Sequence, residues 1–401
     1  MAKRILRYFV SIVAIMVLTL GLVGQGVVAS NIGTNGLGRY IVIFNAGINE
    51  AAKDALAKQF SGVVEEPVAL IGNANVVLLP PQAIQALLHS GKVLRVEEDA
   101  VAYAVAKPIP SPIQQPAETL PWGIAKINAN NLWATNTGVG IKVAIIDTGI
   151  DQDHPDLAAN IKGGQNFVTV RGRIDPNKWD DDNGHGTHVA GIVAAIDNSI
   201  GVIGVAPGAS LYGVKVLDKA GSGYVSSIIN GINWSINNGI QVINMSLGTS
   251  SDVQSLHDAC DIAYQAGIVV VAAAGNSGDA NPDNDVNYPA RYSSVIAVAA
   301  TDSNNLRASW SSDGIEVAVA APGVSIYSTY KGGGYSTLSG TSMASPHVAG
   351  AVALVLAANS SLTPDGIRTK LQSTAYDLGT PGQDNYYGFG LIDVYAAVTA
   401  P

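Results

Sequence analysis

Three side chains, far apart in the chain, are of the types that together can break an acyl bond. Asp147 closes the apolar run Val143–Ile146, His185 lies in Asp182-Asn183-Gly184-His185-Gly186-Thr187-His188, and Ser342 lies in Ser339-Gly340-Thr341-Ser342-Met343-Ala344-Ser345-Pro346. A hydroxyl is a poor nucleophile at neutral pH and needs an adjacent base. An imidazole can be that base, and a carboxylate can fix its tautomer and stabilise the imidazolium. Seen alone, Asp147 would serve equally well as a cap on the turn that follows it. Ser342 is expected to enter a helix, where backbone N–H groups and the positive dipole end favour a developing oxyanion. Asn276, just past Ala272-Ala273-Ala274-Gly275, offers a side-chain amide for the same charge.

Other chemistries fit less well. His185 and His188 share a helix face, but a zinc site needs three or four ligands and no His-Glu-x-x-His pattern is present. Thr137-Gly138-Val139-Gly140 precedes its strand and lacks the third glycine of a dinucleotide loop. Asp180-Asp181-Asp182 reads as a solvated acidic turn, and His89, His154, His257 and His347 as structural or surface residues. Cys260 stands among Leu256, Ala259 and Ala263 at helical spacing, which marks a buried thiol. A net charge of -9 leaves no basic stripe for phosphates, so nucleic acid is excluded as a partner.

The elements that must position these residues can be read from hydrophobic pattern. Of 401 residues, 47% are hydrophobic and 13% charged, enough to bury a large core. Lys3, Arg4 and Arg7 precede the apolar run Tyr8 to Val23, and Val27-Val28-Ala29 offers small residues for a signal peptidase, so residues 1–29 read as a secretory signal. If retained, the run would make the chain membrane-tethered. Residues 38–105 follow a β-α-β-β-α-β pattern, that of a small ferredoxin-like α+β domain. Residues 106–116 form a Pro-rich, protease-accessible linker. From 117 to 401, apolar runs at Val143–Ile146, Leu211–Val216, Val242–Met245, Ile268–Ala274 and Val295–Ala299 lack polar alternation, as strands buried on both faces do. Helices are expected at Val189–Ala195, Ser226–Asn237 and Asp252–Gln265. The fold class is therefore α/β: a doubly wound, mainly parallel sheet flanked by helices, with ligands expected beyond the carboxyl ends of its strands.

Asp147-Thr148-Gly149, His185-Gly186-Thr187-His188-Val189-Ala190-Gly191 and Gly340-Thr341-Ser342-Met343-Ala344-Ser345-Pro346 resemble the three signature motifs of the subtilisin family, in that family's chain order. The similarity runs through nearly all of Leu120 to Ala397. It implies a secreted serine endopeptidase with Asp147 as orienter, His185 as general base and then acid, Ser342 as nucleophile and Asn276 in the oxyanion hole. A catalytically silent peptide-binding relative is the competing reading.

The same resemblance implies that Gly221-Ser222-Gly223 and Ser246-Leu247-Gly248 clamp an extended protein or peptide substrate by backbone pairing. Leu217, Val225, Ile228 and Leu247 would line apolar pockets. Ser277 and Asn287, both neutral, would form the base of the first pocket, which favours apolar or aromatic residues before the cut. A structural Ca²⁺ is implied in the loop Ile196–Val202, held by the side chains of Asp156 and Asn198 and the carbonyls of Ile196, Ile200 and Val202. Glu118 stands where relatives often have Gln and would add a charge to that site. Residues 38–105 resemble the family's propeptide, an intramolecular inhibitor of a monomeric enzyme, with processing between Val105 and Pro116.

Overall fold

The computed structural model describes residues 36–104, 106–109, 115–170, 173–279 and 284–401. The proposed signal, residues 1–29, and part of the linker lie outside the described residues.

The N-terminal unit is built from β1 (Gly38–Phe44), α1 (Glu50–Gln59), β2 (Val63–Pro67), β3 (Ala74–Leu79), α2 (Ile84–Leu88) and β4 (Val93–Glu98). Its antiparallel sheet has the order β2-β3-β1-β4, as the β-α-β-β-α-β pattern requires. Alternation along β1 explains what each face does. Tyr40, Val42 and Phe44 pack with Leu56, Leu79 and Leu87 under the two helices. Ile41 and Ile43 point the other way and join a core cluster with Ile228, Ile229 and Leu256 of the larger unit. An antiparallel sheet often leaves one face in water; here both are covered, one by its own helices and one by its neighbour.

Two short strands follow, β5 (Val101–Ala104) and β6 (Lys107–Ile109), then α3 (Trp122–Lys126). The larger unit contains β7 (Lys142–Asp147), β8 (Ile161–Asn166), α4 (His185–Ala194), β9 (Ser210–Lys215), β10 (Ser222–Tyr224), α5 (Val225–Asn237), β11 (Val242–Met245), β12 (Leu247–Gly248), α6 (Gln254–Gln265), β13 (Val269–Ala273) and β14 (Val295–Thr301). It ends with β15 (Val317–Pro322), β16 (Ile326–Tyr330), β17 (Gly334–Ser339), α7 (Thr341–Ala358), α8 (Pro364–Ser373) and α9 (Val394–Thr399). Seven strands form one parallel sheet in the order β15-β14-β13-β11-β7-β9-β8.

The unbroken apolar runs have the predicted cause. Val143 and Ile145 belong to the core beneath α4 and α7. Ala144 and Ile146 belong to the opposite core with α5 and α6. The chain lays down strands to one side of β7, then returns to the other through β11. This reversal opens a crevice at the carboxyl ends of β7 and β11, where Asp147 stands.

Helix α7 is apolar on all sides and buried from Thr341 through Leu356, which makes it the central core helix. Pro346 lies inside it and cannot donate the bond that the Ser342 carbonyl would normally accept. That carbonyl is instead satisfied by the Ser246 hydroxyl at 2.8 Å. A helix defect is thus repaired by the segment that follows β11, which ties Ser342 to the end of that strand.

Candidate active site

Asp147 ends β7, His185 opens α4, and Ser342 is the second residue of α7. The His185 Nδ1 lies 2.7 Å from Asp147 Oδ1, and both side chains are buried. Asp147 Oδ1 also accepts the Thr148 N–H at 2.7 Å, which fixes the carboxylate. Burial alone would lower the His185 pKa, but the charge and hydrogen bond of Asp147 outweigh it, and the net shift is upward. The His185 Nε2 is buried with no hydrogen-bond partner. Ser342 Oγ donates to the Ser246 carbonyl at 2.9 Å. Because Asn244 of β11 pairs with Ile145 of β7, Ser246 comes level with Asp147 on the neighbouring strand. The carboxylate, the imidazole and the serine-bearing segment therefore converge at two adjacent strand ends.

Asp181 is where a reading of the sequence failed. It is not a solvated turn residue but is buried. Its carboxylate accepts the Asn183, Gly184 and Thr187 N–H groups and the Thr148 and Thr187 hydroxyls. It thereby holds the start of α4, which has no capping side chain at Gly184, and locks Thr148 beside Asp147. Lys215 is a second missed residue: its buried ammonium donates to the carbonyls of Thr148 and Leu217 and pairs with Asp182 at 2.7 Å. The mixed charges of the acidic turn gave no sign of which carboxylate faces inward.

Asn276 follows β13. Its Oδ1 accepts both the backbone N–H and the hydroxyl of Thr341, each at 2.9 Å, so the amide is oriented against the residue preceding Ser342. Gly275 N–H donates to the same Thr341 hydroxyl. Asn287 packs between the two walls of the adjoining cleft. A Cβ at Gly248 would come within 3.0 Å of the Asn287 Cβ, and one at Gly275 within 2.8 Å of its Nδ2. Ser277 donates its N–H to Ser312 Oγ at 3.2 Å.

The cleft is occupied by the chain itself. β5 lies antiparallel between β10 and β12, with Ser222, Gly223 and Tyr224 opposite Tyr103, Ala102 and Val101, and Leu247 and Gly248 opposite Ala104 and Tyr103. Gly221 accepts the Ala104 N–H at 2.8 Å. Gly223 must be glycine, since a Cβ there would stand 2.1 Å from the Val216 carbonyl oxygen. Leu217, Val225, Ile228 and Leu247 are all fully buried in one apolar cluster with Ala100 and Ala102. The two clamp segments read from the sequence thus flank an extended strand.

The subtilase family profile matches residues 138–390. Subtilisin E of Bacillus subtilis (strain 168) is 46% identical over 363 residues, 90% of each chain. The chain belongs to the subtilase family. Subtilisin DY of Bacillus licheniformis is 54% identical over 282 residues, 70% of this chain and 99% of that protein. The alkaline protease of Shouchella clausii is 47% identical over 322 residues, 80% of this chain and 78% of that one. This subtilase is accordingly a serine endopeptidase, a hydrolase acting on peptide bonds.

Two contacts tie the N-terminal unit of the subtilase to the helices beside its cleft. The residues preceding α5 and α6, Tyr224 and Val253, supply no side-chain cap to their helices. Asp99 accepts the Ser226 N–H at 2.8 Å and its hydroxyl at 2.7 Å, at the start of α5. Glu97 accepts the Ser255 N–H at 3.1 Å, at the start of α6. Arg39 pairs with Asp99 at 2.7 Å and lies over the Tyr224 ring, 4.5 Å from its centroid. Both orphan helix starts are therefore capped from the other unit.

The loop Ile196–Val202 is zipped to the segment before α3. Glu118 N–H donates to Ser199 O, Thr119 N–H to Gly201 O, and Gly201 N–H to Pro116 O. Glu118 Oε1 accepts the Asn198 N–H at 2.6 Å. Asp156 is buried and accepts from Asn198 Nδ2, the Val202 N–H and the Tyr335 hydroxyl. Burial chiefly, with Glu118 adding repulsion, pushes its carboxyl up to about 6. Among the described residues no three acidic, histidine or cysteine side chains gather as a metal cluster. A site here would rest on one or two carboxylates completed by amide and carbonyl oxygens, the hard donors that Ca²⁺ takes.

His188 and His347 are buried and neutral. Burial lowers them to about 3 and about 4, and each bonds to backbone carbonyls. Neither is placed to share the chemistry of His185.

Proposed function

We propose that this subtilase is a secreted precursor that cuts its own chain between Val105 and Ala106 and then hydrolyses extended protein segments through an acyl-enzyme. One observation carries the reading: the strand Val101–Ala104 lies in the cleft as a substrate would, running toward Ser342. Ala104 pairs with Leu247. The residue before Leu247 is Ser246, whose carbonyl holds the Ser342 hydroxyl.

In this reading Ser342 Oγ rotates from Ser246 to His185 Nε2 and gives up its proton there as it attacks the carbonyl carbon. The Asn276 amide and the N–H groups at the start of α7 stabilise the oxyanion. His185, held by Asp147, passes the proton to the leaving amine. Water then enters by the reverse sequence, the carboxyl product departs and Ser342 is restored. Asn287, beside Gly248 and Gly275, and Ser277 form the neutral base of a pocket for apolar or aromatic side chains before the cut.

Residues 38–105 act as propeptide: their last strand blocks the cleft, and Glu97 and Asp99 supply helix caps that the enzyme lacks. Asp156, Asn198, Glu118 and the carbonyls of Ile196, Ile200 and Val202 hold a structural Ca²⁺. Glu118 adds repulsion to the buried Asp156 carboxylate, which a bound cation would relieve. Residues 1–29 export the chain.

The test is a Ser342→Ala precursor, purified alone and incubated beside the parent chain. The parent should separate into two fragments, the second beginning at Ala106, and the variant should stay whole. Separation of the variant at an equal rate would refute self-processing by Ser342.

A further inference from the structure

The cleft is filled on both sides of the proposed cut, and the two fillings have different fates. β5, before the cut, belongs to the departing propeptide. β6, after it, belongs to the part that stays. β6 lies antiparallel on β17, with Lys107 opposite Ser339, Pro108 opposite Leu338 and Ile109 opposite Thr337. Without β6, β17 would be the edge of its sheet, and it runs directly into Gly340-Thr341-Ser342. Pro108 has no N–H, but alternate residues of an antiparallel strand bond to a given neighbour. Lys107 and Ile109 can therefore both pair with β17 while Pro108 takes the position where no donor is needed.

This leader is also fastened further along. Gln115 Nε2 donates to the Gly333 carbonyl at 2.6 Å, and its Oε1 accepts from the Tyr335 hydroxyl at 3.1 Å, both at the opening end of β17. Ala117 and Thr119 are then bridged to Ile200 and Val202. Ala106 lines a cavity of about 270 Å³ together with His185, Tyr330, Leu338 and Ala104.

We infer that residues 106–109 remain on β17 after the cut as a built-in competitor for the leaving-group side of substrates, so that the enzyme leaves its first cleavage still inhibited. This rests on the proposed cut between Val105 and Ala106, in which water adds a hydroxyl to the Val105 carbonyl and a proton to the Ala106 amine. A short tether gives the strand an effective concentration in the millimolar range, and a substrate must compete with it. A second peptide-bond hydrolysis ahead of Ala117 frees the β17 edge. The competitor acts only on substrates that extend past the cut, because the side before it is cleared when the propeptide leaves.

The test uses the full chain with residues 110–114 replaced by the recognition site of an unrelated protease. After self-processing, the first N-terminus is sequenced. KM and kcat are then measured before and after trimming at that site, on a peptide with four residues beyond the cut and on a peptide methyl ester too short to reach β17. Trimming should lower KM for the long peptide about tenfold, the factor that a millimolar effective concentration gives a strand whose own dissociation constant is about 0.1 mM, and leave the ester unchanged. A Lys107→Pro, Ile109→Pro chain should show the low KM without trimming. Equal KM before and after trimming, with Ala106 as the first residue, would overturn the retained strand and leave the cut standing. A first N-terminus at Gln115 or beyond would overturn both.

Discussion

At the scale of single residues, the site works by restricting what each group can do. Asp147 is fixed by the Thr148 N–H, His185 is fixed by Asp147, and the Asn276 amide is fixed by Thr341. Catalysis needs the neutral imidazole, and Asp147 raises the pKa at which it forms. Activity should therefore fall as pH drops through a midpoint above the ordinary histidine value. Asp147→Asn should move that midpoint down while kcat/KM at neutral pH falls on the order of 10⁴-fold, the size of loss seen when such a carboxylate is neutralised. A pH profile of both forms reads the two effects, and an unmoved midpoint would contradict the assigned role of Asp147. The residues proposed to do the chemistry stood out in the sequence because their types and flanking glycines are distinctive. Asp181 and Lys215, which hold them, were not, because a buried carboxylate in an acidic turn looks like its solvated neighbours until the backbone donors around it are known.

At the scale of elements, strand runs were legible wherever both faces are buried, as in β7, β11, β13 and β14. β8 was missed: Ile161-Lys162-Gly163-Gly164-Gln165-Asn166 is a polar, Gly-rich edge strand with little apolar signal. The hairpin of β16 and β17 was missed as well, since its serines and threonines are satisfied by partners distant in sequence, such as Thr329 with the Thr187 carbonyl and Ser328 with that of His188. The starts of α5 and α6 carry no capping signature of their own because their caps stand on β4 and in the turn before β5. This has a consequence for assembly. Asp99→Ala removes one of the three carboxylates around Arg39, which keeps Glu65 and Glu66, and leaves the Ser226 N–H and hydroxyl at the start of α5 unanswered, a loss of about 1–3 kcal/mol for buried donors. A dilution series of the processed complex should show the propeptide dissociating at least tenfold more readily than from the parent. Equal dissociation would remove the cap from the account of inhibition.

At the scale of the whole molecule, the segment between the two units spans two anchored ends. Ala104 is still in the cleft while Glu118 is already seated at the loop Ile196–Val202. The proposed calcium site should accordingly form in the uncut chain. Saturating Ca²⁺ at about 100 times its dissociation constant stabilises a fold by about 2.7 kcal/mol, or roughly 4–5 °C for a unit the size of residues 117–401. Chelation should lower the unfolding midpoint of the Ser342→Ala precursor by that order, and an unchanged midpoint would remove the metal. The two-unit plan was legible in composition and periodicity. The pairing of β6 with β17 was not, because a proline-rich stretch reads as linker and long-range strand addition leaves no local trace.

The central claim, that Ser342 is the nucleophile activated by His185, is tested most directly by covalent labelling. The processed enzyme is treated with a fluorophosphonate and mapped by peptide mass spectrometry, alongside a His185→Ala chain matured by added parent enzyme. The expected result is one adduct, on Ser342, in the parent and almost none in the variant. An adduct on another residue, or full peptidase activity after Ser342 has been labelled, would contradict it.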